Sequence, residues 1–296
     1  MKLKNRKYVL LLTITIIFFI YTKFISFSKY TYSPKNINNI NVHFIDVGQG
    51  DAILIQVNNK NIIIDSGPKD NEINFFSCLD SLKIKRIDYI IATHPHEDHI
   101  GNMAKLIKKY DIDYFYAPKI IHSSKSFEKM VEALIEKNKK INVLKAGIKS
   151  IDLGDDSLLT VISPNKDYYG DNLNLYSPII KLQYKEISFL FTGDAEEEIE
   201  KEVILLGSDI SADVLKIGHH GSSTSTSEVF LNNVNPTISV ISVGENNEYN
   251  HPSDKVLSLL KNQSSLIFRT DINGTIIVSS NGTTLSVNTE KTNTKW

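Results

Sequence analysis

One cysteine, Cys78, stands in 296 residues. A disulfide within the chain is excluded, and so is a zinc site built on thiolates. Cys78 falls in a helix-like segment and is read as a buried, unreactive thiol. Net charge is also small, at −1. The balance is uneven, however. The first 29 residues hold Lys2, Lys4, Arg6, Lys7, Lys23 and Lys29 and no acid, so the remainder is acidic by seven charges. Such a domain is poorly suited to gripping long nucleic acid non-specifically, because phosphate contacts rest on Lys and Arg. No short fixed-period repeat is present, which excludes a solenoid. After residue 27 no apolar stretch is long enough to span a membrane, so the rest of the chain is not expected to form a channel.

The one long apolar run is at the amino terminus. Tyr8 to Tyr21 reads YVLLLTITIIFFIY, and Phe24, Ile25 and Phe27 extend it past Lys23. With Lys23 drawn to the interface, the run is about the length of a transmembrane helix. No small-residue cleavage site follows in Ser26 to Tyr30, so an uncleaved anchor is expected, with secretion after signal cleavage as the alternative. Both put the bulk of the chain outside the cytoplasm, because the basic leader stays inside. The expected organisation is an anchor over 1–29, a linker over 30–40, a folded domain over 41–288 and a polar tail over 289–296.

In the folded part, apolar runs predict strands over 41–46, 52–57, 62–64, 87–92, 141–144, 157–162, 179–184, 187–191, 214–217, 238–243, 266–269 and 275–278. Helices are predicted over 72–82, 99–110, 126–137, 195–205, 227–232 and 253–261. Strands interleaved with helices argue for central sheets with helices outside.

The chemistry gathers where strands end. Thr93 to Gly101 reads THPHEDHIG, placing His94, His96, Asp98 and His99 on one strand-to-helix turn. Neutral imidazole and carboxylate are the ligands that borderline divalent cations prefer. His219, His220 and His251 also follow strands or sit in glycine- and polar-rich loops. His43, in mid-strand, and His122 are read as structural or surface residues. Asp46, Asp65 and Asp194 terminate strands. Asp194, with Gly193 beside it, is read as a ligand. Asp46 and Asp65 are read as support, bonding loop amides and orienting ligand histidines. Lys216 either shields its strand or touches a substrate phosphate.

These stretches resemble the metallo-β-lactamase-fold hydrolases, and more narrowly the hydrolase domain of the ComEC competence proteins and its stand-alone relatives. The matching segments are His43 to Ala52, Ile64 to Gly67, His94 to Gly101, Phe191 to Ala195, Leu215 to Ser222 and Asn250 to Ser253, in the family's order over about 41–288. The resemblance implies an α/β fold, a four-layer α/β/β/α sandwich, here preceded by one N-terminal transmembrane helix. It implies a first metal on His94 and His96, a second on Asp98 and His99, and Asp194 between them. One of His219 and His220 would complete the second site; the other would face substrate or donate a proton. His251 either reaches the cleft or caps the helix that follows.

One departure stands out. Many superfamily enzymes place a third histidine on the first metal, but none lies between His122 and His219. The matching segment, Asp171 to Ser177, offers Asn174 and Ser177, whose oxygens bind zinc less well than imidazole. The first site is expected to be looser, or better suited to manganese.

The expected function is metal-dependent hydrolysis outside the cytoplasm, with two zinc ions (manganese the alternative) and Asp98, His219 and His220 as catalytic residues. The expected substrate is a phosphodiester, either single-stranded DNA or an envelope phosphoester such as phosphocholine. Expected partners are that substrate and the membrane, through the N-terminal helix; nucleic acid is a candidate and no obligate protein partner is evident. The alternatives are a lactone, lactam or thioester hydrolase, and a metal-stabilised binding module linked to DNA uptake.

Overall fold

The computed structural model describes residues 39–148 and 151–291. The expected anchor, most of the linker and the end of the polar tail lie outside the described residues. Among those residues no helix is long and apolar enough to cross a membrane.

The chain first lays down β1 (Ile40–Phe44), β2 (Ile53–Val57), β3 (Lys60–Ile64), β4 (Arg86–Ile91), β5 (Asp111–Ala117) and β6 (Ile141–Val143). It then builds a second sheet from β7 (Ser157–Val161), β8 (Ile180–Tyr184), β9 (Ile187–Phe191), β10 (Val214–Lys216), β11 (Ile238–Ile241) and β12 (Leu266–Arg269). Finally β13 (Ile276–Ser280) and β14 (Leu285–Thr289) return to the first sheet beside β1. The first sheet is eight-stranded, in the order β14-β13-β1-β2-β3-β4-β5-β6, and the second is six-stranded, in the order β12-β11-β10-β9-β8-β7. Both are mixed. β3 to β6 pair parallel in one, and β9 to β12 in the other.

The strands are apolar on both faces because both are covered. In β2, Ile53 and Ile55 join Leu182, Phe189, Phe191 and Val240 in a core shared by the two sheets. Leu54, between them, points the other way, into a core with Phe75, Leu79, Met103 and Leu106 from helices outside the first sheet. The second sheet repeats the device: Leu190 and Leu215 pack with Ile199, Phe230 and Leu260 of its own helices. Cys78 lies in the helix Glu72–Ser81, where burial pushes its thiol up to about 12.

Three expectations need correction. The helix expected over 99–110 is two short ones, Glu97–Ile100 and Met103–Lys109. Asn102 separates them, its amide donating to the carbonyls of Ser66 (3.0 Å) and Pro68 (2.7 Å). β5 was not predicted. Its sequence, DIDYFYA, mixes acids and tyrosines with apolar residues, yet the strand is held parallel on both sides by β4 and β6. β14 was also missed, because an edge strand paired on one side, reading LSVNT, carries little apolar signal.

Candidate metal centre

The carboxyl ends of parallel strands are where open α/β sheets bind ligands. Here β3, β4, β9, β10 and β11 end at one edge. Their following loops supply Asp65, Thr93 to His99, Asp194, His219 to His220, and Ser242.

Asp65 anchors the first group. It takes a left-handed backbone, φ 58°. Its carboxylate accepts from the Thr93 amide (2.8 Å) and hydroxyl (2.6 Å) and lies 2.8 Å from Nδ1 of His99. That fixes the His99 ring and turns Nε2 towards Asp194 Oδ2, 3.3 Å away. His94 Nδ1 meets the Ser177 hydroxyl at 3.2 Å, so the opposite nitrogen, Nε2, faces His96 Nδ1 (2.9 Å) and Asp194 Oδ2 (3.7 Å). The same Ser177 oxygen accepts from the Asp194 amide, at 3.2 Å. Ser177 therefore links the His94 turn to the Asp194 turn.

His219 and His220 both adopt left-handed backbone, with φ 48° and 53°. Non-glycine residues held there cost on the order of 1–3 kcal/mol each, a strain typical of functional sites. The two rings part company as a result. His220 is buried: Nδ1 is 2.9 Å from the Ser242 carbonyl, while Nε2 is 3.3 Å from Asp98 Oδ2 and 3.6 Å from Asp194 Oδ1. His219 stays at the mouth, 23% exposed, with Nε2 3.8 Å from Asp194 Oδ2 and Nδ1 3.2 Å from the Thr224 hydroxyl.

Several buried atoms converge without bonding. His99 Nε2, His220 Nε2 and Asp194 Oδ1 have no hydrogen-bond partner among the described residues, although each faces a charged neighbour within 4 Å. Unpaired buried polar groups are costly, so a missing partner is indicated. Two groupings of ligand atoms stand out: His94, His99 and Asp194, and Asp98, His99 and His220. His96 joins through His94 rather than through either grouping. His99 lies within reach of both, a more central place than its expected membership of the second alone. Nitrogen and carboxylate donors of this kind fit divalent metal.

The electrostatics agree. Burial, reinforced by the His99 charge, holds His94 well below the usual imidazole range, so it stays in the neutral form a metal requires. Burial also works against the charged forms of His99 and His220. For His99 the carboxylates of Asp194, Asp98 and Asp65 outweigh it and lift the group well above its usual range; for His220, Asp194, Asp98 and Asp51 do the same more mildly. Burial opposes the Asp194 and Asp98 carboxylates, yet His99 and His220 hold both below their usual range. The carboxylates thus favour the protonated forms of His99 and His220, in competition with a metal, which takes the neutral imidazole.

The remaining expected residues divide. Asn174 donates to Glu196 (2.9 Å) beside His219, and its buried Oδ1 has no hydrogen-bond partner among the described residues. His251 reaches the cleft, its ring 5.8 Å from that of His219; the helix Asp254–Asn262 is capped by Ser253 instead. Asp46 accepts from the Gly48 amide (3.2 Å) and pairs with Lys291 (3.4 Å), so it supports the loop but orients no histidine. Lys216 cannot touch substrate. It is fully buried, 2.9 Å from Asp51 Oδ2 and 2.8 Å from the Ile217 carbonyl.

Asp51 is the residue that sequence reasoning missed. It is buried behind His220, with Oδ1 3.5 Å from Nδ1. The loop comes this close because Gly50 lies against the Asp98 carbonyl, where a Cβ would collide. The available signal was Lys216 itself: a lysine inside the apolar strand VLKIG requires a buried acid somewhere.

Two facing mixed sheets with a His/Asp cluster at one edge define a metal-dependent hydrolase. The chain belongs to the metallo-beta-lactamase superfamily, whose family model matches residues 45–245. It is 35% identical over 254 residues to ComE operon protein 3 of Bacillus subtilis, covering 79% of this chain and 32% of that protein. It is 25% identical over 250 residues to competence protein ComA of Neisseria gonorrhoeae, covering 83% of this chain and 33% of that one. The chain thus spans about a third of the length of these relatives. In fold it is similar to the metallo-beta-lactamase fold protein YhfI of Bacillus subtilis, with a TM-score of 0.55 and 11% identity over 82% of this chain and 99% of that one.

Proposed function

We propose that this chain hydrolyses phosphodiesters outside the cytoplasm, held at the membrane by the helix expected over Tyr8 to Phe27. The observation that carries the reading is the division of Asp194: Oδ2 faces His94 and His99, with His219 beyond at the mouth, while Oδ1 faces His220. One carboxylate offered to two ligand groups suits a pair of cations, with zinc or manganese the candidates. Divalent cations bound there supply a water-derived nucleophile at neutral pH and neutralise charge on the reacting oxygens.

The chain's own groups do the rest. Asp65 accepts from Nδ1 of His99 and leaves its other nitrogen turned inward; the Thr93 hydroxyl, which donates to Asp65, is left to accept from Nδ1 of His94 (3.1 Å) and does the same there. Asp98, 31% exposed and held as a carboxylate, is available to orient the attacking water. His219, at the mouth and steadied by Thr224, is placed to give a proton to the leaving oxygen. The competence proteins among the relatives favour single-stranded DNA as substrate, and an envelope phosphoester such as phosphocholine is the other candidate.

The test is a substrate screen on the full chain in detergent, with zinc, manganese or chelator. Bis(p-nitrophenyl) phosphate, single-stranded oligonucleotide and p-nitrophenyl phosphocholine are set against lactones and β-lactams. Metal-dependent turnover of phosphodiesters, lost in Asp194→Ala with folding retained, is the expected result. Turnover confined to lactams or lactones overturns the substrate class. Unfolding on metal removal with no turnover of any ester overturns catalysis in favour of a binding module.

A further inference from the structure

The rings around the site continue outward. From His220, buried at the cluster, the centroid distance to His219 is 6.2 Å; from His219 to His251 it is 5.8 Å; from His251 to Tyr249 it is again 5.8 Å. The first two contacts are edge-on, at 64° and 70°, but Tyr249 stacks on His251 at 25°. Tyr249 is nevertheless 58% exposed. A large aromatic left open to water beside a catalytic cleft calls for an explanation that core packing does not supply.

The loop that carries it is built rather than loose. Asn247 donates to the carbonyls of Gly244 (3.0 Å) and His251 (2.7 Å) and accepts from the His251 amide (3.0 Å). The Gly244 amide donates to Gln49 (3.1 Å), tying this loop to the turn that carries Asp51. Asn246 and Asn250 take left-handed backbone at the two bends, with φ 54° each, a conformation asparagine tolerates. Tyr249 therefore projects from a fixed frame.

We infer that Tyr249, backed by His251, is a stacking platform for a nucleobase next to the phosphodiester held at the metal centre. This rests on the phosphodiester reading and narrows it to nucleic acid or nucleotide substrates. A quaternary ammonium group is best held by several ring faces around one point. Here the rings run in file, and the outermost is the one left open, which suits a flat group laid upon it. Stacking of this kind tolerates any base, because every base offers a flat face.

The experiment compares cleavage of a thymidine hexanucleotide with one whose nucleotides flanking the scissile bond are abasic, using the full chain in detergent with manganese. The wild type should show a KM for the intact strand roughly 5- to 100-fold below that for the abasic strand. Tyr249→Ala should raise KM for the intact strand and shrink that preference towards one, while Tyr249→Phe keeps it. Equal KM values for the two strands in the wild type overturn the inference alone. So does an undiminished preference in Tyr249→Ala. Cleavage of neither strand overturns the phosphodiester reading and this inference with it.

Discussion

Breaking the buried Asp51–Lys216 pair should lower the stability of this protein markedly. Both side chains are buried, and Nζ and Oδ2 are 2.9 Å apart. At that separation and an effective dielectric constant near 20, the attraction is about 6 kcal/mol, set against the cost of drying both charges. Asp51→Ala leaves an ammonium group with one remaining bond, to the Ile217 carbonyl. Lys216→Met leaves a carboxylate beside Asp194, in a ligand grouping those two residues share with His220. Each single change should cost about 3–5 kcal/mol, because each strands a buried charge. In a domain of this size that corresponds to a fall in Tm of about 6–20 °C. The double variant Asp51→Leu with Lys216→Met strands neither charge and should recover at least half of the loss. The measurement is thermal and urea unfolding by circular dichroism in EDTA, so that metal binding does not contribute. A single-variant cost below about 1 kcal/mol, or additive losses in the double variant, would refute the reasoning.

Further outcomes follow from the same geometry. His220→Ala should lose metal, measured by mass spectrometry of dialysed protein, whereas His219→Ala should keep its metal and lose turnover. Asp65→Asn should weaken metal affinity by roughly 10- to 100-fold, read by competition with a chromophoric chelator, because His99 loses the acceptor that fixes its tautomer. His43, away from the site, has its imidazole held at about 4 by burial, with a weaker opposing bond to Gln56. Its folded value lies below its unfolded one, so the associated stability is complete above about pH 6.5 and is lost as pH falls towards 4. The loss approaches about 3 kcal/mol and should be largely absent in His43→Gln, compared by urea unfolding at pH 7 and pH 4.5.

Much of the site was legible because its residues are marked locally. An apolar strand followed by His-x-His-x-Asp-His is visible in the short window Ile87 to His99, and so are Phe-Thr-Gly-Asp and Gly-His-His-Gly at the ends of later strands. Most strands and helices were legible for the same reason, since the two-residue and 3.6-residue periods are properties of short windows. The misses were elements whose stability comes from neighbours. β5 is a strand because β4 and β6 flank it, and the helix after His99 breaks because Asn102 bonds the Ser66 to Pro68 loop.

By itself, then, the sequence determined the fold class, the loops that carry ligands and the lack of a third histidine before Asp194. Tertiary structure alone decided what each side chain does there. Two adjacent histidines of one motif separate into a buried ligand candidate and a group at the mouth because both take left-handed backbone. Ser177 sits behind His94 and Asp51 meets Lys216 through contacts between loops that only the facing sheets bring together. A ligand type can be read from one residue; its direction depends on backbone angles and distant neighbours that no short window contains.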